Sequence, residues 1–204
     1  MRPIALFNLC DILSRNNLLQ STKSVNIREQ VVIFLHIIGH NVRFRVIGSR
    51  YYRSTETIHR YFRVVLRAFL KLYKIVIRLP NESTPSEIRN NPRFYPYFKD
   101  CIGALDETHV SASVPLSIQG RFHSRKGGTA QNVLAAITFD LKFSYVLAGW
   151  EDIVFACCII HNHIMGVDLS DLLNQGLYEE PKSDLIISTL TEREEAREWS
   201  AKRD

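Results

Sequence analysis

The sequence lacks any hydrophobic run long enough to cross a bilayer. Its longest apolar stretches, such as residues 153–160, fall well short of the roughly 20 residues that a spanning helix needs. The first residues also lack the pattern of a secretory signal, because their apolar stretch is short and Asp11 follows it without a small-residue cleavage site. We therefore expect no membrane partner and no secretion.

Cysteine is scarce, and the four cysteines do not form the framework of a disulfide-rich domain. They are Cys10, Cys101, Cys157 and Cys158, and the last two are adjacent in the chain. Disulfides persist in oxidising compartments, where cysteine spacing is more regular than this. The pattern predicts a reducing compartment, either the nucleus or the cytoplasm.

Acidic residues are nearly absent from the first 80 positions. In that part 14 Lys and Arg stand against three acids, a net charge of +11, whereas residues 81–204 hold 12 against 18, a net charge of −6. A basic block of this kind attracts polyanions, and nucleic acid is the first candidate. The solvated face of an ordinary surface helix also carries Lys and Arg, so charge alone leaves both interpretations open.

Apolar residues recur at helical spacing through this basic block. Three helices are predicted, within residues 1–15, 26–40 and 54–77, and the last two have Asn26 and Ser54 as N-caps. Residues 41–53 are predicted to be a basic, aromatic connection. The second and third predicted helices are amphipathic, are joined by a short connection, and together have the form of a helix-turn-helix unit.

Cations follow one side of the third predicted helix, opposite its apolar stripe. They recur at Arg60, Arg63, Arg67 and Lys71, which lie three or four residues apart and therefore share a face. The candidate nucleic-acid contacts are these four residues together with Arg53 before the helix and, in a later basic loop, Arg125 and Lys126.

The second part of the chain changes from helical to strand patterning. Residues 80–99 hold prolines and four aromatics, and are predicted to be a connector held in place by those aromatics, with Thr84 capping a short helix. Residues 101–110 predict a strand, and residues 133–147 predict a hairpin that turns at residues 140–142. Residues 152–164 predict a buried helix and residues 191–204 a capped one.

Four stretches together resemble the plant-type PIF/Harbinger DDE transposases and the Harbinger transposase-derived nucleases. They are RSTETIHRYFRVVLRAFLKL, NPRFYPYFKDCIGALDETHV, RKGGTAQNVLAAITFDLKFSYVLAGWE and IVFACCIIHNHI, and they occur in the family's order. The resemblance implies an α+β chain with a helix-turn-helix-like domain at residues 1–79, a connector at 80–99 and an RNase H-like domain at 100–204. This last domain is expected to keep a three-stranded sheet and C-terminal helices.

The resemblance also implies two divalent metal ions, Mg²⁺ or Mn²⁺, held by three acids. Asp106 matches the first of these acids, although Glu107 stands where the family has glycine. The family's second and third acids have no counterpart, because the chain passes from Glu151 directly to Asp152, where a block of the catalytic domain is missing. Two-metal catalysis requires ligands around both ions, so we expect a defective metal site.

A second possible metal set is Cys157, Cys158, His161 and His163. These are zinc ligands by type, but structural zinc sites usually use pairs flanked by turns, and the resembling family uses this segment as a packing helix. Packing is therefore the favoured interpretation.

Three functional hypotheses follow from the resemblance. The first is a nuclear, DNA-binding transposase-derived protein with a defective nuclease domain. The second is an active metal-dependent nuclease with a rearranged site. The third is a non-catalytic protein that binds a Myb-like partner, since members of the resembling family work with one.

Overall fold

The computed structural model describes residues 1–80, 83–122, 127–149 and 152–167, together with the backbone of residues 187 and 188. In these residues the chain is an α+β protein with seven α-helices and a three-stranded antiparallel sheet, extended at one edge by a two-residue parallel strand. The α+β organisation predicted from the sequence is confirmed.

The elements follow one another as helices, then strands, then a helix. The helices are α1 (Pro3–Arg15), α2 (Ile27–His40), α3 (Phe44–Tyr51), α4 (Thr55–Lys71), α5 (Tyr73–Val76), α6 (Ser86–Arg89) and α7 (Asp152–Val167). The strands are β1 (Ala104–Ser113), β2 (Ala130–Ile137), β3 (Phe143–Leu147) and β4 (Ile187–Ser188), and a 3-10 helix covers Leu116–Arg121.

Two helices begin at the predicted caps. The Asn26 side chain accepts a hydrogen bond from the Glu29 backbone N–H at 2.8 Å, and the Ser54 hydroxyl accepts one from the Thr57 N–H at 3.1 Å. Each cap satisfies a backbone donor that has no partner inside its helix. Both predictions are confirmed.

The predicted connection between α2 and the capped helix is wrong in one respect, because most of it is the helix α3. Val46, Ile47 and Gly48 are weak helix formers, which hides α3 from an analysis of propensity. Burial of Phe44, Ile47 and Gly48 stabilises the helix through packing instead. The predicted helix over residues 54–77 is likewise divided into α4 and α5.

An apolar core joins the helices. Phe34 of α2 lies at its centre, with its ring centroid 5.0 Å from Phe62 and 5.2 Å from Phe69, both on α4. All three are buried. The apolar stripe predicted for residues 58–73 is thus the face of α4 that packs on α2.

Helix α7 belongs to this core as well as to the sheet. Among its buried residues is His163, whose Nε2 lies 2.8 Å from the Ala5 carbonyl oxygen of α1, and Phe155 stacks edge-on against Tyr73 of α5. The prediction of a buried helix here is confirmed. Because α7 packs on both α1 and α4, apolar contacts extend from the first helix to the last described one.

The side chain of Asn162 on α7 forms hydrogen bonds that link the helices to β3, an edge strand of the sheet. Its Oδ1 accepts a hydrogen bond from the Phe143 N–H at 2.7 Å, and its Nδ2 donates to the Phe143 carbonyl at 2.7 Å and to the Val76 carbonyl at 3.3 Å. The side chain is buried, so these bonds replace those that water would make. Asn162 thereby acts as a partner for the first residue of β3.

The sheet has the order β3-β2-β1-β4, with β1, β2 and β3 antiparallel and β4 parallel to the end of β1. The predicted hairpin is confirmed, and Leu141 adopts a left-handed conformation in its turn, with φ 57°. In the described residues β3 forms one edge. Leu105 on β1 is 63% exposed and Leu147 on β3 is 53% exposed, so one face of the sheet is open.

The connector differs from the expectation in how it is held. Its aromatic side chains are exposed rather than packed, with Tyr97 83% exposed, and Phe94 and Phe98 contact each other. Thr84 does not cap α6, because its hydroxyl donates to the Lys99 carbonyl across the loop. Burial of Ile88 and this hydrogen bond hold the connector.

Other features of the sequence analysis fall outside the described residues. These are Glu151, on the amino-terminal side of the predicted junction with Asp152, and the predicted helix at 191–204. In the described residues, no helix is long and apolar enough to cross a membrane.

Candidate nucleic-acid interface

Helices α3 and α4 are joined by a tight turn and together are named the α3–α4 unit. Only residues 52–54 separate the eight-residue α3 from the 17-residue α4. Tyr52 closes α3 in a left-handed conformation with φ 52°, and the Arg53 N–H donates to the Gly48 carbonyl at 2.9 Å. A Cβ atom on Gly48 would come within 2.8 Å of the Arg53 carbonyl oxygen. Glycine at position 48 therefore permits the tight return of the chain.

The cations predicted along α4 do lie opposite its buried stripe. Arg60, Arg67 and Lys71 are exposed, and the Arg60 guanidinium lies 5.3 Å from the Tyr61 ring centroid, a cation–π contact. Arg63 is half-buried and already engaged with other groups. This face therefore presents at least three cations to solvent.

Arg53 is separate from the exposed cations because its charge is already paired. Its guanidinium forms a salt bridge with Glu29 at 3.0 Å and donates to the Ser24 carbonyl at 2.8 Å. These contacts tie the turn before α4 to the start of α2. The geometry thus gives Arg53 a positioning role in the unit.

The cations of α3 are functional candidates that the sequence analysis missed. Arg43, Arg45 and Arg50 are exposed on or immediately before this helix. The prediction of a connection over residues 41–53 does not place them on a common element. A signal for the helix is present in the sequence, since the buried Phe44, Ile47 and Gly48 are spaced three and one residues apart, as on one side of a helix.

Asp106 lies in the middle of β1 and is exposed. It pairs with Ala135 on β2, which pairs in turn with the buried Val146 on β3, so the three share a face of the sheet. Helix α7 packs on β3, two strands away from Asp106. The carboxylate Oδ1 accepts the N–H of Glu107 at 2.8 Å, and Glu107 itself projects to the opposite face.

The surroundings of Asp106 do not fit a two-metal centre. Within the part of the chain that the structure describes, no group of three or more His, Cys, Asp or Glu side chains is placed to hold a metal ion. Mg²⁺ and Mn²⁺ in nucleases need several oxygen ligands converging on each ion. The Asp106 carboxylate accepts a hydrogen bond from a backbone N–H, which is not a metal ligand.

Cys158 and His163 of α7 are buried, whereas Cys157 is exposed. Burial raises the pKa of Cys158 to about 12, so its thiol is protonated at neutral pH. The Nε2 atoms of His161 and His163 lie 2.8 Å from the carbonyl oxygens of Leu141 and Ala5. The remaining candidates, Arg125 and Lys126, lie outside the described residues.

Comparison with known proteins gives one match. A family described as a domain of unknown function, DUF8040, matches residues 1–71, which contain α1 to α4. No curated protein and no solved structure matches the chain. The match covers the helical region that carries the exposed cations, and it attaches no activity to that region.

Proposed function

We propose that the chain is a transposase-derived, DNA-binding protein that contacts the duplex through α3 and α4. The observation that supports this proposal is the tightly turned α3–α4 unit, whose exposed faces bear Arg43, Arg45, Arg60, Arg67 and Lys71. In a DNA-binding helix-turn-helix the second helix enters the major groove while preceding elements contact the backbone. The nuclear location expected from the sequence follows from the same proposal.

The test measures binding of the full chain to a duplex of about 20 base pairs at a series of salt concentrations. We expect weak, electrostatic binding whose logarithm falls linearly with the logarithm of salt concentration. The variant with Arg60→Gln and Arg67→Gln should lower that slope by about 0.9 for each phosphate that the side chains no longer neutralise.

The matched control is Arg93→Gln with Lys99→Gln. These exposed cations lie in the connector, and their removal changes the net charge by the same amount. An equal loss of affinity in both double variants would assign binding to net charge and reject the α4 face. No retardation of DNA at low salt would reject the proposal as a whole.

We further propose that residues 100–204 derive from an RNase H-like nuclease domain that no longer cleaves DNA. The three antiparallel strands β1, β2 and β3 support this origin, because the resemblance implies a three-stranded sheet in this domain. The exposure of Asp106 without converging acids in the described residues supports the loss of cleavage.

Plasmid cleavage with Mg²⁺ or Mn²⁺ tests this second part. We expect neither the parent nor Asp106→Asn to cleave, and because Asp106 is exposed the substitution should leave folding unchanged. Cleavage by the parent that disappears in Asp106→Asn would establish an active nuclease with a rearranged site. Such a result would leave the DNA-binding proposal intact.

Binding of a Myb-like protein is a second candidate function. It is favoured by the open face of the sheet, where Leu105, Tyr145 and Leu147 are all exposed. Exposed apolar patches of this kind mark protein-interaction sites or self-association. Co-elution with a Myb-like protein without DNA, and its loss in Leu147→Lys, is the expected result, whereas concentration-dependent self-association alone would reject this candidate.

A further inference from the structure

A cluster of basic side chains lies between α2 and α3, outside the cation row of α4. His36 of α2 stands at its centre. Its Nδ1 lies 3.2 Å from the Tyr51 hydroxyl, and its Nε2 lies 3.5 Å from a guanidinium nitrogen of Arg50. His40, one turn further along α2, stacks edge-on at 5.2 Å between ring centroids.

The contacts of His36 define its charge state in this arrangement. Arginine can only donate hydrogen bonds, so the 3.5 Å contact with Arg50 favours the neutral tautomer of His36 in which Nε2 is unprotonated and Nδ1 donates to the Tyr51 hydroxyl. Burial, with Arg50 and His40 nearby, lowers the pKa of His36.

Within the described part of the chain, no carboxylate balances this cluster. Arg50 is exposed, and among the described residues it takes part in no ion pair. Glu29 is on the same side of α2 about two turns earlier, but it is held by Arg53. The groups that act electrostatically on His36 are Arg50 from α3 and His40 from α2 itself. In this part of the chain a guanidinium without a carboxylate partner stands beside two imidazole rings, an arrangement that suits an anion.

We infer that His36, His40 and Arg50 form a binding site for one phosphate group of a nucleic-acid backbone, and that protonation of His36 opens it. Once Nε2 carries a proton, Arg50 can no longer donate to it, and both groups can donate to a phosphate oxygen placed between them. Arg50 lies on α3, the helix that precedes the groove-binding helix of the unit, where backbone contacts are expected. This inference rests on the proposed DNA binding and adds pH dependence to it.

The first experiment uses the full chain and inorganic phosphate, without DNA. The pKa of each histidine is followed by NMR in chloride and in phosphate at equal ionic strength. We expect phosphate to raise the pKa of His36, while the exposed His109 on β1 serves as the control. An unchanged pKa of His36, or an equal rise at His109, would overturn the site.

The second experiment measures duplex affinity at pH 6 and pH 8 at fixed ionic strength. Uptake of one proton on binding changes affinity by at most about tenfold per pH unit. We expect the parent to bind more tightly at pH 6, His36→Gln to lose most of that difference, and His109→Gln to retain it. Arg50→Gln should weaken binding at both pH values, because its charge does not titrate in this range.

The two experiments separate the site from the proposed function. Salt-dependent DNA binding with the same pH response in the parent and in His36→Gln would overturn the site and leave DNA binding standing. A phosphate-dependent shift of His36 in a chain that binds no DNA would overturn the assignment to nucleic acid and leave a site for free phosphate.

Discussion

The helices of the first 80 residues and the sheet of residues 104–147 bury their apolar side chains very differently. Phe34 on α2 is completely buried among aromatic rings of α4, whereas Leu105 on β1 leaves 63% of its surface in solvent. Both are large apolar residues within regular secondary structure. In the helical region the apolar face of α2 packs against the apolar face of α4. On one face of the sheet, by contrast, apolar side chains such as Leu105 contact solvent.

This difference shows where the stability of the chain is located. Burial of apolar surface provides most of the free energy of folding, so α1 to α4 and the facing side of α7 contribute most of it. The strands are paired through their backbones, but β3 is attached to the helices by the side chain of Asn162. Four substitutions, each with a matched control, test this difference between the helices and the sheet.

The largest expected effect comes from comparing Phe34→Ala with Leu105→Ala. Removing a fully buried Phe leaves a cavity, and such changes cost about 3–5 kcal/mol of unfolding free energy. Leu105→Ala should change stability by less than about 0.5 kcal/mol, because surface changes usually do. Equilibrium urea unfolding of the full chain measures both. Similar losses would mean that another part of the molecule covers the open sheet face.

The next effect concerns the attachment of the sheet to the helices. Asn162→Leu should destabilise the chain by about 1–3 kcal/mol, because it leaves the buried Phe143 backbone groups without partners. Asn132→Leu changes the same residue type at an exposed position of β2 and serves as the control. Urea unfolding followed in the far ultraviolet detects the difference, and equal stability of the two variants would contradict the role assigned to Asn162.

An effect of similar size is expected at the tight turn between α3 and α4. In Gly48→Ala the new methyl group meets the Arg53 backbone at 2.8 Å, so the chain must shift. We expect a loss of about 1–3 kcal/mol and weaker DNA binding, as for other overpacked sites. Gly39→Ala has open space in helix α2 and should instead stabilise the chain by about 0.5–1 kcal/mol. Thermal unfolding of both variants tests the pair, and stabilisation by Gly48→Ala would refute the close approach.

The smallest effect is the pH dependence that His36 contributes to stability. The folded-state pKa of His36 is lowered below the ordinary 6.5, so the unfolded chain binds more protons between these two values. Stability should therefore decrease as pH falls through 6.5 and level off below the folded pKa. His36→Gln should reduce this decrease, and His109→Gln should not. Chemical unfolding at pH 5, 6, 7 and 8 provides the measurement, and identical profiles for the parent and His36→Gln would exclude the effect.

Local sequence patterns predict the helices and turns that are specified by residues close together in the chain. The caps at Asn26 and Ser54, the apolar stripe of α4, the hairpin at residues 140–142 and the buried helix α7 are all confirmed. Each depends on periodicity or on a hydrogen bond between residues close in the chain. The cation row of α4 is predictable for the same reason, since residues three and four apart share a helix face.

Helix α3 has only a weak signal of this kind, the helical spacing of Phe44, Ile47 and Gly48, and the positions of its cations are missed with it. Its propensity is poor, and packing of Phe44 and Ile47 on neighbouring helices stabilises it. The cluster of His36 with Arg50 depends on α3, so it is missed together with the helix. The connector aromatics were expected to pack, but no neighbouring element in the described residues covers them.

The α+β organisation and the basic character of the first 80 residues follow from composition and local periodicity, which are properties of the chain alone. Only the tertiary structure decided that Arg53 is paired with Glu29, that α7 and Asn162 join the helices to the sheet, and that His36 meets Arg50. The reason is physical: a side chain's charge state and burial depend on residues that are distant in the chain and adjacent in space.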